Sequence, residues 1–167
     1  MTQLLDVATD GYSSTKFRNK TRTGAPAPHK DPAGNWVDID FPVFRLGEVY
    51  LTYAEAVLRG GTGGDNATAL GYLRQLSTRA RPNDANAETY PQMALDYIIK
   101  ERGRELFWEG VRRTDLIRFG QFTTAAYLWA WKGGLPNGTA VDRKYNIFPI
   151  PAIDLSSNPN LVQNPGY

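Results

Sequence analysis

Leu46-Gly47-Glu48-Val49-Tyr50-Leu51-Thr52-Tyr53-Ala54-Glu55-Ala56-Val57-Leu58-Arg59 decides the fold class of this chain. Leu46, Val49, Tyr50, Tyr53, Ala54, Val57 and Leu58 fall at i, i+3, i+4, i+7, i+8, i+11 and i+12. That spacing lays one apolar stripe along a helix and predicts a core-facing element. Gly60-Gly61-Thr62-Gly63-Gly64 stops it. Asp65 or Asn66 can cap a second helix reaching about residue 79, with Ala69, Leu70, Leu73, Leu76 and Ala80 as its core face. Arg81-Pro82-Asn83-Asp84 ends that helix. A third is expected from Pro91, a good first-turn residue, to about residue 108. A short fourth is expected over residues 113–119, and residues 123–131 also read as helical. Helix–turn–helix units recur at a spacing of roughly 40 residues, which helical-repeat architectures permit.

Outside the helices the chain changes character. Residues 1–44 form a loop-rich lead-in, marked by Gly24-Ala25-Pro26-Ala27-Pro28 and Asp31-Pro32-Ala33-Gly34. Residues 45–145 form the helical region and residues 146–167 a tail. At 167 residues one domain with a sizeable core is possible. Nineteen Lys and Arg against 17 Asp and Glu give a net charge of +2. That makes no case for nucleic acid, which selects a concentrated basic face. No apolar run of membrane-spanning length occurs. Zero Cys excludes a disulfide framework and thiolate metal sites.

Three constellations bear on chemistry. Glu101, Glu105 and Glu109 stand at i, i+4, i+8. Two of them could be a glycosidase pair if their carboxyls sit about 5–9 Å apart and one has a raised pKa. Arginines crowd the same stretch: Arg79, Arg102, Arg104, Arg112, Arg113 and Arg118. Paired carboxylates are poor general acids. The weightier reading is a structural network of Arg79, Arg112, Arg113 and Arg118 with the three glutamates and Asp115. His29 is the only histidine, and it has no triad or metal partner in sequence; Ser13-Ser14 and Ser156-Ser157 have no base in any motif. The glycines at 60–64 follow a helix and lack a following Lys, so they are no phosphate loop. The last constellation is aromatic. Trp129 and Trp131 flank Ala130 beside Lys132 and Gly133, and Trp36, Tyr12 and Tyr127 are further loop aromatics. Such faces stack on pyranose rings while polar neighbours bond the hydroxyls. They serve equally as core or tail-packing residues. Trp36, Trp129, Trp131 and Lys132 are the candidate ligand-binding residues.

The tail runs Asn146-Ile147-Phe148-Pro149-Ile150-Pro151 through Asn158-Pro159-Asn160-Leu161 to Gln163-Asn164-Pro165-Gly166-Tyr167. Its prolines remove amide donors and fix φ, so it reads as extended, neither a helix nor a central strand. Phe148, Ile150 and Leu161 are expected to be buried in a groove on the helices. This tail closely resembles the terminus of SusD/RagB proteins, the glycan-binding outer-membrane lipoproteins of Bacteroidetes. Upstream, Phe44–Ala56, the Ala69–Arg74 and Arg79–Arg81 blocks, and Ile98–Leu106 with Glu109–Gly120 are similar to that family's blocks, in its order. Asp10-Gly11-Tyr12 and Thr15-Lys16-Phe17 match more loosely.

The resemblance implies a mainly α fold of degenerate tetratricopeptide-like helical hairpins, with loop-rich flanks and an extended C-terminal tail. It implies the C-terminal third of a longer cell-surface protein at the outer membrane, held by a lipid anchor outside this soluble fragment. The expected function is reversible binding of an oligosaccharide or polysaccharide, starch or a related glycan. The expected partner is a TonB-dependent SusC-like transporter. No bond chemistry, cofactor, metal or nucleic acid is expected. The alternative is a helical-repeat protein-interaction module without sugar affinity.

Overall fold

The computed structural model describes residues 16–21, 23–29, 31–33 and 36–167. Tyr12, the Asp10-Gly11-Tyr12 match and Ser13-Ser14 lie outside the described residues. The chain divides into two compact units, Met1–Val43 and Phe44–Tyr167. In the first, an isolated antiparallel bridge joins Lys20 to Pro26. The Asn19 side chain donates to the Trp36 carbonyl at 2.6 Å and accepts from Asp38 N at 2.8 Å. One amide side chain thus closes a loop whose described residues carry only the isolated bridge.

The second unit carries the helices α1 (Leu46–Leu58), α2 (Asn66–Ala80), α3 (Leu95–Glu105), α4 (Arg112–Arg118) and α5 (Ala152–Ser157). Gly60 adopts φ +83° just beyond α1, where a side chain would be strained. Asp65 caps α2 by accepting from Thr68 N at 2.8 Å, and those bonds to Thr68 hold its carboxyl below the usual carboxylate range. The core is Leu51, Ala54, Ala69, Leu73, Leu76 and Ile98. Tyr50 stacks on Tyr72 at 4.2 Å between ring centroids, and Tyr53 meets the same ring edge-on.

The helical hairpins are present, with corrections to what they bury. Leu46 and Val49 are exposed, whereas Gly47, Leu51, Ala54 and Glu55 are buried. The reason is that α1 packs on both α2 and α3. Its buried arc is therefore rotated from the sequence stripe towards Leu51, and takes in two polar-face positions. Ala80 is exposed, because burial along α2 ends at Ser77, whose hydroxyl donates to Ala87 O at 2.6 Å. The third helix starts at Leu95 behind the extended N-cap Ala94, so Pro91 is buried outside it.

Residues 123–131 are not helical. Lys132 Nζ takes the carbonyls of Thr124 at 2.6 Å and Tyr127 at 2.7 Å, acceptors that a helix would need for its own ladder. The tail departs from expectation twice. It contains α5, with Pro151 at the N-cap, where the missing N–H costs nothing. No residue of 146–167 is buried: Phe148 is 70% exposed, Leu161 is exposed and Ile150 is half-buried. Polar ties hold the tail instead. The Gln163 carboxamide accepts from Ile150 N at 2.8 Å and donates to Ile150 O at 2.9 Å. Asn164 Nδ2 donates to Phe148 O, and the Tyr167 hydroxyl donates to Ile147 O.

Candidate functional site

Two sets of side chains were candidates, and the fold treats them differently. The charged set lies between α1, α3 and α4. Arg45 Nε donates to Glu109 Oε2 at 2.7 Å and Nη1 to Glu105 Oε1 at 2.5 Å. Arg79 Nη2 donates to Glu105 Oε2 at 2.6 Å. Glu101 is held by Arg104, one turn along α3. Arg118 grips Glu55 with two N–H groups at 2.8 and 2.9 Å and reaches Asp115 at 2.8 Å. Arg102 Nε stands 2.9 Å from Asp115 Oδ1, with both residues buried. Hydrogen bonds donated to Glu109 and Glu105 hold Arg45 above the usual arginine range. Burial alone would raise the Glu55 carboxyl, but Arg118 and Arg59 outweigh it and hold Glu55 below its ordinary value.

Arg45 was not legible as a member of this set. Its partners lie 60 and 64 residues away, beyond any local period. The only signal was a lone arginine just before the first stripe. Arg112 and Arg113 belong elsewhere. Arg112 Nη1 donates to Ile99 O at 2.7 Å, and Arg113 Nη2 to Tyr145 O at 2.6 Å. Their guanidinium groups lie over Tyr127 at 5.0 Å and Phe148 at 4.0 Å respectively. With Arg45, Arg79 and Arg104 holding Glu101, Glu105 and Glu109, the carboxylate line is arranged as a clamp between helices. Among the described residues no three His, Cys, Asp or Glu side chains group to hold a metal ion.

The aromatic set forms a surface. Trp129 is 39% exposed; its ring stacks near Phe122 at 6.3 Å and meets Tyr127 at 5.8 Å. Trp131 is 52% exposed and sits at φ +67°, a left-handed conformation rare for a bulky residue. Lys132 corrects the expectation of a ligand-facing ammonium. It is only 3% exposed, with Nζ turned into the loop carbonyls and 4.8 Å from the Trp129 ring centroid. Burial lowers its pKa. Lys132 therefore pins the loop that carries Trp129 rather than offering a donor outward. Trp36 is 76% exposed in the first unit.

Beside this loop is an open groove of about 650 Å³, lined by Arg113, Phe122, Tyr145, Phe148 and Tyr167 among others. Tyr145 and Tyr167 meet edge-on at 6.4 Å. Sequence reasoning treated Phe148 as core and missed that it is a surface platform. A groove of this size, aromatic and with few polar groups, is the form small-ligand sites take.

The sequence model of the SusD family matches residues 2–167. The chain belongs to the SusD family. It is 45% identical over 159 residues to the starch-binding protein SusD of Bacteroides thetaiotaomicron, covering 95% of this chain and 26% of that protein. The SusD-family chain thus spans about a quarter of the length of that relative. Among solved structures, surface glycan-binding protein A from Bacteroides thetaiotaomicron superposes with a TM-score of 0.63 at 28% identity. The match covers 85% of this chain and 29% of that one. The same protein in complex with laminarihexaose also gives a TM-score of 0.63, at 27% identity over 84% of this chain and 29% of that one. Among the described residues no helix is long and apolar enough to cross a membrane.

Proposed function

We propose that this chain is the carboxy-terminal part of a cell-surface protein that binds a glycan, starch or a related polysaccharide, without cleaving it. The observation that carries the reading is the Phe122–Tyr127–Trp129 cluster, whose Tyr127 and Trp129 are exposed on a loop that Lys132 pins from within. A fixed aromatic face costs little ordering on binding and stacks on the C–H face of a sugar ring. Family membership and the names of the relatives support the class of ligand. Binding is reversible and needs no cofactor. The helical body serves as scaffold, and a TonB-dependent SusC-like transporter receives the glycan.

The test is a calorimetric titration of maltohexaose and laminarihexaose, with Trp fluorescence in parallel. A single aromatic cluster predicts weak affinity, about millimolar, or about 4 kcal/mol. Trp129→Ala abolishes it without unfolding the chain. Product formation from either sugar would replace the reading with a hydrolase. Absence of any affinity in the full-length protein would replace it with a protein-interaction module.

A further inference from the structure

Tyr127 also lines a second cleft, of about 640 Å³. Lys100, Arg104, Arg112, Trp108 and Tyr127 line it, and no Asp or Glu does. Lys100 and Arg104 are charge-paired along α3 with Asp96 and Glu101. Arg112 is not. Whereas Arg45, Arg59, Arg79, Arg102, Arg104 and Arg118 reach carboxylates, Arg112, like Arg81 and Arg113, reaches none among the described residues. One of its five N–H donors goes to Ile99 O, which leaves the rest of the fork unused.

Its placement is fixed on two sides. The guanidinium lies against the bare backbone of Gly103, where an added Cβ would sit 3.1 Å from Nη1. It also lies 5.0 Å from the Tyr127 ring centroid. Trp108 stands at the rim, 63% exposed and at φ +63°. A bulky residue held in that region marks a position the surroundings over-determine, which is where functional strain collects.

We propose that this cleft is a subsite for an anionic sugar residue, whose carboxylate or sulfate ester is held by the Arg112 fork while its ring lies against Trp108. Arginine's planar fork matches two oxygens of such a group. The subsite rests on the glycan-binding reading and narrows it from starch, whose glucose residues carry no carboxylate or sulfate, to a related polysaccharide that does. Tyr127 belongs to both places, being 5.8 Å from Trp129 and 5.0 Å from Arg112. The ligand is then a glycan chain with an acidic residue next to a neutral one.

Trigalacturonate, a sulfated trisaccharide and neutral maltotriose, titrated against the chain at 20 and at 200 mM salt, test this. The acidic probe that fits binds at least tenfold tighter than maltotriose, weakens with salt and quenches Trp fluorescence; Arg112→Gln removes that tenfold and leaves maltotriose unchanged. The trigalacturonate and sulfated arms tell which acid the fork prefers. Should Arg112→Gln lower the melting temperature, Lys100→Gln, on an exposed side chain, reads the same charge dependence and weakens the acidic probe about threefold. Equal affinity for acidic and neutral probes overturns the subsite and leaves the neutral glycan reading standing. Inorganic sulfate binding as tightly as the sulfated sugar overturns it too, since the ring would then contribute nothing. No affinity for any probe overturns both.

Discussion

In the body formed by α1 to α4, six arginines (Arg45, Arg59, Arg79, Arg102, Arg104 and Arg118) end on carboxylates; in residues 121–167, and at Arg113 of α4 where it meets them, cations end on backbone carbonyls. Arg45 reaches Glu105 and Glu109, and Arg118 reaches Glu55, over 60 to 64 residues of sequence. Lys132 reaches Thr124 and Tyr127, Arg113 reaches Tyr145, and Lys144 reaches Gly166. The first kind of contact joins helices that the chain order keeps apart, and its carboxylate side chains are no more than 7% exposed. The second kind shapes loops that stay at the surface. Consequently the body can tolerate little change, and the aromatic loops can vary in what they present without disturbing it.

The sharpest way to break this contrast is at Asp115, 1% exposed and shared by Arg102 and Arg118. Asp115→Ala leaves buried Arg102 with only the longer contact to Glu48 at 3.6 Å and is expected to cost about 3–5 kcal/mol in urea denaturation. Leu51→Ala, at a fully buried position, removes packing alone and should cost about 3 kcal/mol in the same assay. If Leu51→Ala proves more damaging than Asp115→Ala, packing rather than charge organises the body.

Acid titration of stability sharpens the comparison further. Glu55's folded pKa is depressed, so its contribution is complete above its ordinary value of 4.5 and is lost as pH falls below it. Glu55→Gln should flatten that acid limb below pH 4.5, whereas a substitution in the loop region should not. The smallest effect belongs to the tail. Deleting residues 146–167 removes exposed and half-buried side chains but no buried one, so helical melting should move by less than about 1 kcal/mol. A loss of several kcal/mol would mean that the tail stabilises the helices despite its exposure.

What the sequence made legible follows the same division. The helices α1, α2 and α4 were readable because 3.6-residue periodicity and capping are local, and Asp65 caps α2 as its position suggested. The rotation of α1 that exposes Leu46 and buries Glu55 was not, because it depends on α3, which enters 37 residues after α1 ends. The Trp129 loop was found by composition. Its support was misread, since nothing in Trp-Lys-Gly says that an ammonium will turn inward. The tail's prolines were read correctly as preventing a ladder, but the apolar residues between them suggested burial that the structure does not provide.

Gln163 deserves a last consequence. Its carboxamide occupies both the N–H and the C=O of Ile150, as a neighbouring strand would. Pro149 and Pro151 on either side have no N–H to offer. An open, apolar, extended segment is ordinarily an invitation to edge-to-edge association between molecules. Here one side chain closes the invitation from within, so Phe148 can stand in solvent as a contact surface without its backbone templating a fibril. Gln163→Ala should leave the helices untouched and make concentrated solutions scatter light, a change visible long before any unfolding.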